Sequence, residues 1–176
     1  MLSHICTQLY ASPCGTLLVG SHADKLCMCD WTDGNNHQSV IQRLKRLLNA
    51  GIIEQSSHIT ETAIRQLDEY FSHSRQAFDI PLYFAGTDFQ QTVWNALLTI
   101  PYGTTISYAD LSRRIGMPTA VRAVANANAA NAISIFAPCH RVIGADASLT
   151  GYGGGLRAKR YLLELEMPCL VTLSQL

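Results

Sequence analysis

Residues 107–128 read SYADLSRRIGMPTAVRAVANAN, and their punctuation decides the architecture of the second half of the chain. Ser107 followed by Asp110 has the form of a capping box, in which each side chain satisfies a backbone N–H that a helix start leaves unpaired. The helix it opens runs to about Ile115 and ends at Gly116, with Pro118 beyond. A further helix begins near Thr119. Val121, Val124 and Ala125 form its apolar face, with Asn128 next in line, and Thr119, Arg122 and Asn126 form the opposite one. Two short helices around a glycine turn make a helix-turn-helix pattern. Such pairs also occur in proteins that never touch DNA, so the pattern alone leaves nucleic-acid binding open. The second helix is rich in small residues, Ala123 and Ala127 among them. A face of small side chains permits close backbone approach, which suits a narrow groove better than base reading by long side chains.

Upstream, Thr87 with Gln90 is another capping box, and Phe89, Val93, Leu97 and Ile100 follow on one helical face until Pro101. Ala85-Gly86-Thr87 therefore reads as a boundary between residues 1–86 and 87–176. In the first part, Ser12-Pro13-Cys14-Gly15 is a turn between strands at Cys6–Tyr10 and Thr16–Gly20, and Leu26–Trp31 reads as a third strand. Val40, Ile41, Leu44, Leu47 and Leu48 have helical spacing, as do Ile59, Ala63, Leu67, Tyr70 and Phe71. Phe78, Ile80, Leu82 and Phe84 alternate as a strand does. The first part is an α/β unit, and the second is mainly α.

Composition narrows the class. The chain has 176 residues, 48% of them hydrophobic, enough for one domain or two small ones. No apolar run reaches the roughly 18 residues of a membrane span, and no secretory leader is apparent, so a cytoplasmic protein with reduced thiols is expected. His4, Cys6, His22, Cys27 and Cys29 lie close in sequence, but their spacing matches no common zinc module, and no cofactor is expected. Net charge is zero overall, yet residues 1–88 hold six Lys/Arg against nine Asp/Glu, while residues 89–176 hold seven against four. The basic half is a weak pointer to an anionic partner.

That half also contains Pro138-Cys139-His140-Arg141-Val142. A cysteine attacks as its thiolate, and neighbouring cations make the thiolate available near neutral pH. Two potential cations beside Cys139 therefore predict an activated thiol. A cysteine hydrolase is one reading, although such sites assemble their histidine from distant segments rather than the adjacent position.

In these segments the sequence resembles the O6-alkylguanine-DNA alkyltransferases. The matching stretches are Phe89–Trp94, Ile100–Gly103 with Ile106–Tyr108, Val121–Val124, Asn131 with Ile133–Ile135, Pro138–Gly144, and Leu149–Tyr152 with Gly154-Gly155, in order across about 80 residues. The resemblance implies a ribonuclease H-like α/β N-terminal domain and a winged-helix-like helix-turn-helix domain. It implies direct-reversal DNA repair, in which Cys139 takes the alkyl group from O6 of a flipped guanine in one irreversible step, with O4-alkylthymine as a further candidate substrate. The implied partner is double-stranded DNA bearing alkylated guanine, met by a monomer. By the same resemblance, His140 activates the thiol through a water, Glu166 orients His140, and Tyr108 donates to N3 of the departing base. Arg122 holds the gap left in the base stack, with Thr119, Ala123, Asn126 and Ala127 on the DNA-facing helix. Asn131 braces the cysteine loop, Pro138 and Val142 flank the thiol and imidazole, and Tyr152, Gly153 and Gly154 lie in the loop closing over the base. Ala132, Ala125 and Ala147 depart from the usual proline and glycines. Cysteine at 139 argues against the related sensors that lack it.

Overall fold

The computed structural model describes residues 3–168. Its first part is a four-stranded sheet in the order β3-β2-β1-β4, built from β1 (Ser3–Ser12), β2 (Gly15–His22), β3 (Lys25–Trp31) and β4 (Ala50–Glu54). The β1–β2 and β2–β3 pairs are antiparallel, and β4 joins β1 in parallel after the crossover helix α1 (His37–Leu48). Helix α2 (His58–Phe71) then packs across the sheet, starting at a capping box between Ser57 and Thr60. The three strands expected between Cys6 and Trp31 and both expected helices form at those places. Strand β4 was not anticipated: its five residues include Gly51 and carry no alternation to read.

Residues 78–84 are not a strand. Their inward alternation is present, with Ile80 buried and Asp79 and Pro81 exposed, but only Leu82 bridges the sheet, against Leu26. Pro81 has no N–H to donate, and the contact consists of Leu26 N–H to Pro81 O and Tyr83 N–H to Leu26 O.

The second part contains α3 (Asp88–Leu97), β5 (Ile106–Ser107), α4 (Tyr108–Arg114), α5 (Val121–Ala129), β6 (Val142–Ile143) and α6 (Gly155–Glu166). Both expected capping boxes, at Thr87 and at Ser107, are formed. Gly116 takes φ +74° where α4 stops, a left-handed conformation that glycine adopts without a Cβ penalty. Helix α5 starts at Val121, two residues later than expected, because Met117–Ala120 closes a turn in which the Ala120 N–H reaches Met117 O. Strands β5 and β6 pair in parallel and set Tyr108 beside the cysteine segment.

Two apolar clusters hold the molecule together. One lies between α3, α4 and α5 and includes Val93, Trp94, Leu97, Leu111, Val124 and Cys139. The other is the sheet–helix core of the first part, and it recruits Ile133, Ile135 and Phe136 from the cysteine loop and Leu162 and Leu165 from α6. At about 1.5–3 kcal/mol per buried large apolar side chain, these five tie the second part firmly to the first. Among the described residues no helix is long and apolar enough to cross a membrane, and no group of His, Cys, Asp and Glu is arranged to hold a metal ion.

Candidate active site

Cys139 stands at the start of a single 3-10 turn, Cys139–Arg141, reached through two tight reversals. The Phe136 N–H donates to Ser134 O across Ile135, which has φ +73°, and the Cys139 N–H donates to Ala137 O across Pro138, which has φ −79° and ψ 65°. Both are γ-turns, and the first is of the rare positive-φ kind, more strained still for a β-branched residue. Packing of Ile135, 1% exposed, holds it there. Asn131 ties the loop across its neck: its Nδ2 donates to Ala137 O at 2.9 Å, and its Oδ1 accepts the Ile133 N–H at 3.0 Å. The edge of the first sheet continues the support, since Cys29 exchanges backbone hydrogen bonds with Ala132 and Ser134.

Glu166, at the end of α6, is the centre of the buried polar network. Its Oε1 lies 2.7 Å from His140 Nε2 and accepts from the Tyr70 hydroxyl at 2.7 Å and from Arg141 Nη2 at 3.0 Å. Its Oε2 accepts from Arg141 Nε at 2.8 Å and from the Gly103 N–H at 3.3 Å. Burial alone would raise this carboxyl, but His140 and the Arg141 fork overcome it and hold the pKa down to about 2. The glutamate is ionised and accepts only, so Nε2 of His140 carries the hydrogen between them. Nδ1 is then the lone pair of a neutral imidazole, and it is buried with no protein partner. Burial pushes the His140 pKa down, so the ring is a free base at rest, while Arg141 supplies the permanent cation that Glu166 needs.

This corrects the expectation of a cation-activated thiol. Arg141 is turned away from the sulfur and used by Glu166, with its Nη1 on Ile100 O at 2.6 Å. His140 is neutral. Burial is the largest influence on Cys139 and pushes its pKa up, against the lowering effects of Asn131, Lys159 and Ser134. The resting group is a protonated thiol. Its neighbour Lys159 is fully buried on α6, donates to Val142 O at 2.6 Å and Thr150 O at 2.8 Å, and has its pKa lowered to about 8 by burial.

Tyr108 donates to the same Thr150 carbonyl at 3.0 Å. Burial raises its pKa, so it remains a donor at neutral pH. Tyr152, Gly153 and Cys139 share a cleft with Asn128, Asn131 and Ser134, whose free space is about 10 Å³, room for a single water. On α5, Arg122, Ala123 and Asn126 are exposed, and so is Thr119 just before it. Ala127 is not on that surface. It is 3% exposed and packs inward, and its carbonyl accepts the Trp94 indole N–H at 2.8 Å, because it follows Val124 on the inner face of the helix.

The structure therefore brings Cys139, His140, Glu166, Asn131, Tyr152 and Tyr108 into one region and puts Arg122 on the adjoining exposed helix. Sequence reading missed Tyr70, Lys159, Arg43 and the use made of Arg141. Lys159 alone left a trace, because it lies on the same helical face as Leu162, Leu163 and Glu166.

Comparisons with known proteins identify relatives over both parts of the chain. Residues 5–84 match the family model described as the 6-O-methylguanine DNA methyltransferase ribonuclease-like domain, and residues 88–168 match the DNA-binding domain of the same family. A methylated-DNA–protein-cysteine methyltransferase of Mycobacterium tuberculosis is 59% identical over 104 residues, a stretch covering 59% of this chain and 63% of the relative. The Mycobacterium leprae counterpart is 44% identical over 161 residues, 92% of each. The crystal structure of M. tuberculosis OGT in complex with DNA superposes with a TM-score of 0.77 at 41% identity, over 97% of this chain and 99% of that one. With both halves matched in order, and with a buried cysteine, imidazole and carboxylate assembled where they are, the chain belongs to the 6-O-methylguanine-DNA methyltransferase family.

Proposed function

We propose that this protein repairs DNA by direct reversal, moving the alkyl group from O6 of a flipped guanine to Cys139. The observation that carries the proposal is the buried thiol next to a neutral imidazole whose Nε2–H is fixed on Glu166 and whose Nδ1 is left without a protein partner. Nδ1 takes the thiol proton through a bridging water. The Sγ–carbon bond forms as the carbon–O6 bond breaks, and the bonding electrons pass to the guanine. Tyr108 exchanges the Thr150 carbonyl for N3 of the base and donates a hydrogen bond that stabilises the negative charge on the leaving purine, its raised pKa keeping the phenol protonated for that donation. The thioether cannot be hydrolysed by any group in the site, so each chain reacts once.

The DNA partner is a duplex with an alkylated guanine, read by one protein chain in the cytoplasm. The solved mycobacterial complex with DNA supports that choice. A nucleophile cannot reach O6 inside a stacked pair, so the base leaves the helix. Arg122, with exposed Thr119, Ala123 and Asn126, is the part of α5 free to enter the groove and hold the gap. Tyr152, Gly153 and Gly154 close over the base, Asn131 and Pro138 fix the thiol, and Val142 packs in the buried cluster that contains Cys139. We place the boundary between the two units at Gly86, between the stretches matched by the two family models.

The test is intact-mass spectrometry and peptide mapping after mixing reduced protein with an O6-methylguanine duplex. One added methyl on Cys139, absent with unmethylated DNA, is the expected result. Unchanged lesion in the presence of excess reduced protein would overturn the proposal.

A further inference from the structure

The loop that carries Tyr152, Gly153 and Gly154 is held from behind by a residue of the other half of the chain. Trp31 ends β3 and is 3% exposed. Its indole N–H donates to the Tyr152 hydroxyl at 3.2 Å, and the two rings meet edge to face with centroids 6.1 Å apart. The indole lies so close to Gly154 that a Cβ there would come within 2.7 Å of three ring atoms, the Nε1 among them. On its other side the ring presses against Gly15, where a Cβ would sit 3.2 Å from Cε3 and Cζ3. Three residues after Trp31, Gly34 approaches Gly153 so nearly that a Cβ would stand 2.6 Å from its carbonyl oxygen. Trp31 thus packs closely against both a glycine of the β1–β2 turn and a glycine of the loop, beside an open cleft of about 140 Å³ that the ring and the loop border together.

The position of this ring matters because the loop is one wall of the Cys139 cleft. Tyr152 and Gly153 face Cys139 across a space of about 10 Å³. An alkyl group delivered to the sulfur must fit between the thiol and that wall. A larger group requires the wall to move back, and that movement strains the Trp31–Tyr152 hydrogen bond and the close contact of Gly154 with the indole.

We infer that Trp31 is a positioning residue that sets the size of alkyl group Cys139 accepts, by fixing the Tyr152–Gly154 wall from behind. It touches neither thiol nor base and acts only through the loop. The inference rests on the alkyl-transfer reading above.

The experiment compares single-turnover rates on O6-methylguanine and O6-benzylguanine duplexes for the natural protein, Trp31→Leu and Trp31→Phe. Discrimination by apolar pocket size spans about tenfold to a few hundredfold, so relaxation of the wall is expected to raise the benzyl-to-methyl rate ratio about tenfold in Trp31→Leu. Trp31→Phe, which keeps much of the ring but loses the N–H, gives a smaller rise. In the Trp31→Leu background, Gly154→Ala costs less stability than it does in the natural protein, because the ring it strikes is gone. A ratio that stays constant while both rates fall together would overturn the inference and leave Trp31 a packing residue. If Trp31→Leu does not fold, Trp31→Phe and Tyr152→Phe, which lacks only the hydroxyl accepting the indole, decide the matter by the same ratio. Failure of the natural protein to demethylate the methyl duplex would instead refute the proposed reaction, and that arm is read separately.

Discussion

Glu166 collects five donors on two oxygens, and its behaviour with pH follows from that. Its folded pKa is depressed to about 2 while the unfolded carboxyl titrates near its usual 4.5, so the folded state favours the charged form. The stabilisation is present above about pH 5 and is lost as pH falls from there toward 2. Urea unfolding at stepped pH is expected to show this fall in the natural protein and a much flatter acid limb in Glu166→Gln. The same substitution leaves Arg141 buried and unpaired, which costs about 3–5 kcal/mol near neutral pH. It also frees the His140 ring to choose the other tautomer, and positioned proton transfer is worth about a hundredfold or more in rate. Transfer by Glu166→Gln at neutral pH is therefore expected to slow by at least about tenfold even where the protein is folded, measured by single-turnover quench.

At the scale of elements, α5 is supplied with its end interactions from outside. It has no side-chain cap at either terminus and no basic residue in its last turn. Instead α1 reaches across: Arg43 Nη2 donates to Ala130 O at 2.7 Å, with the guanidinium stacked on Trp94 at 5.3 Å. The Asn36 amide, just before α1, points to Ala129 O at 3.5 Å. A cation at a helix C-terminus satisfies orphan carbonyls and suits the dipole. Arg43→Met is expected to cost about 1–3 kcal/mol in urea unfolding, since it deletes a charged donor from a half-buried helix-end carbonyl. DNA affinity, measured by fluorescence anisotropy, falls with it as α5 loosens.

The helix-turn-helix was legible because its signals are local. Ser107 with Asp110 and the stop at Gly116 need only neighbours within four residues. The cross-chain cap from Arg43 joins residues 87 apart, and nothing in the spacing of α1 announces it. The same holds within the site. Cys139, His140 and Asn131 could be read from one stretch, and Glu166 through the family resemblance. Tyr70 and Arg141 took their roles from three-dimensional packing, and the thiol's raised pKa follows from burial that no nearest-neighbour reading contains. Residues 78–84 failed for the converse reason. Their alternation is real, but Pro81 and the lack of a continuous partner deny them a ladder.

Across the whole molecule, the two halves are distinct in sequence and joined in energy. The cysteine loop and α6 contribute to the core of the first part, and Tyr70 of that part completes the Glu166 network. Residues 87–176 produced alone are therefore expected to lack a cooperative unfolding transition in calorimetry, and not merely to melt a few degrees lower. Addition of residues 1–86 in trans is expected to restore it, since the missing surface is specific and apolar.

The raised pKa of Cys139 has a consequence for the lifetime of the molecule. Under the proposed single-turnover reaction, a chain is lost to every electrophile that finds its sulfur, and a permanently ionised, open thiolate would be consumed by soluble alkylators long before a damaged base arrived. Here Cys139 is 4% exposed and its thiol is protonated at rest. Only a ligand that enters the cleft and draws the proton toward His140 makes it reactive. On that reading, the chain keeps its shelf life by being a poor nucleophile until a substrate fills the cleft.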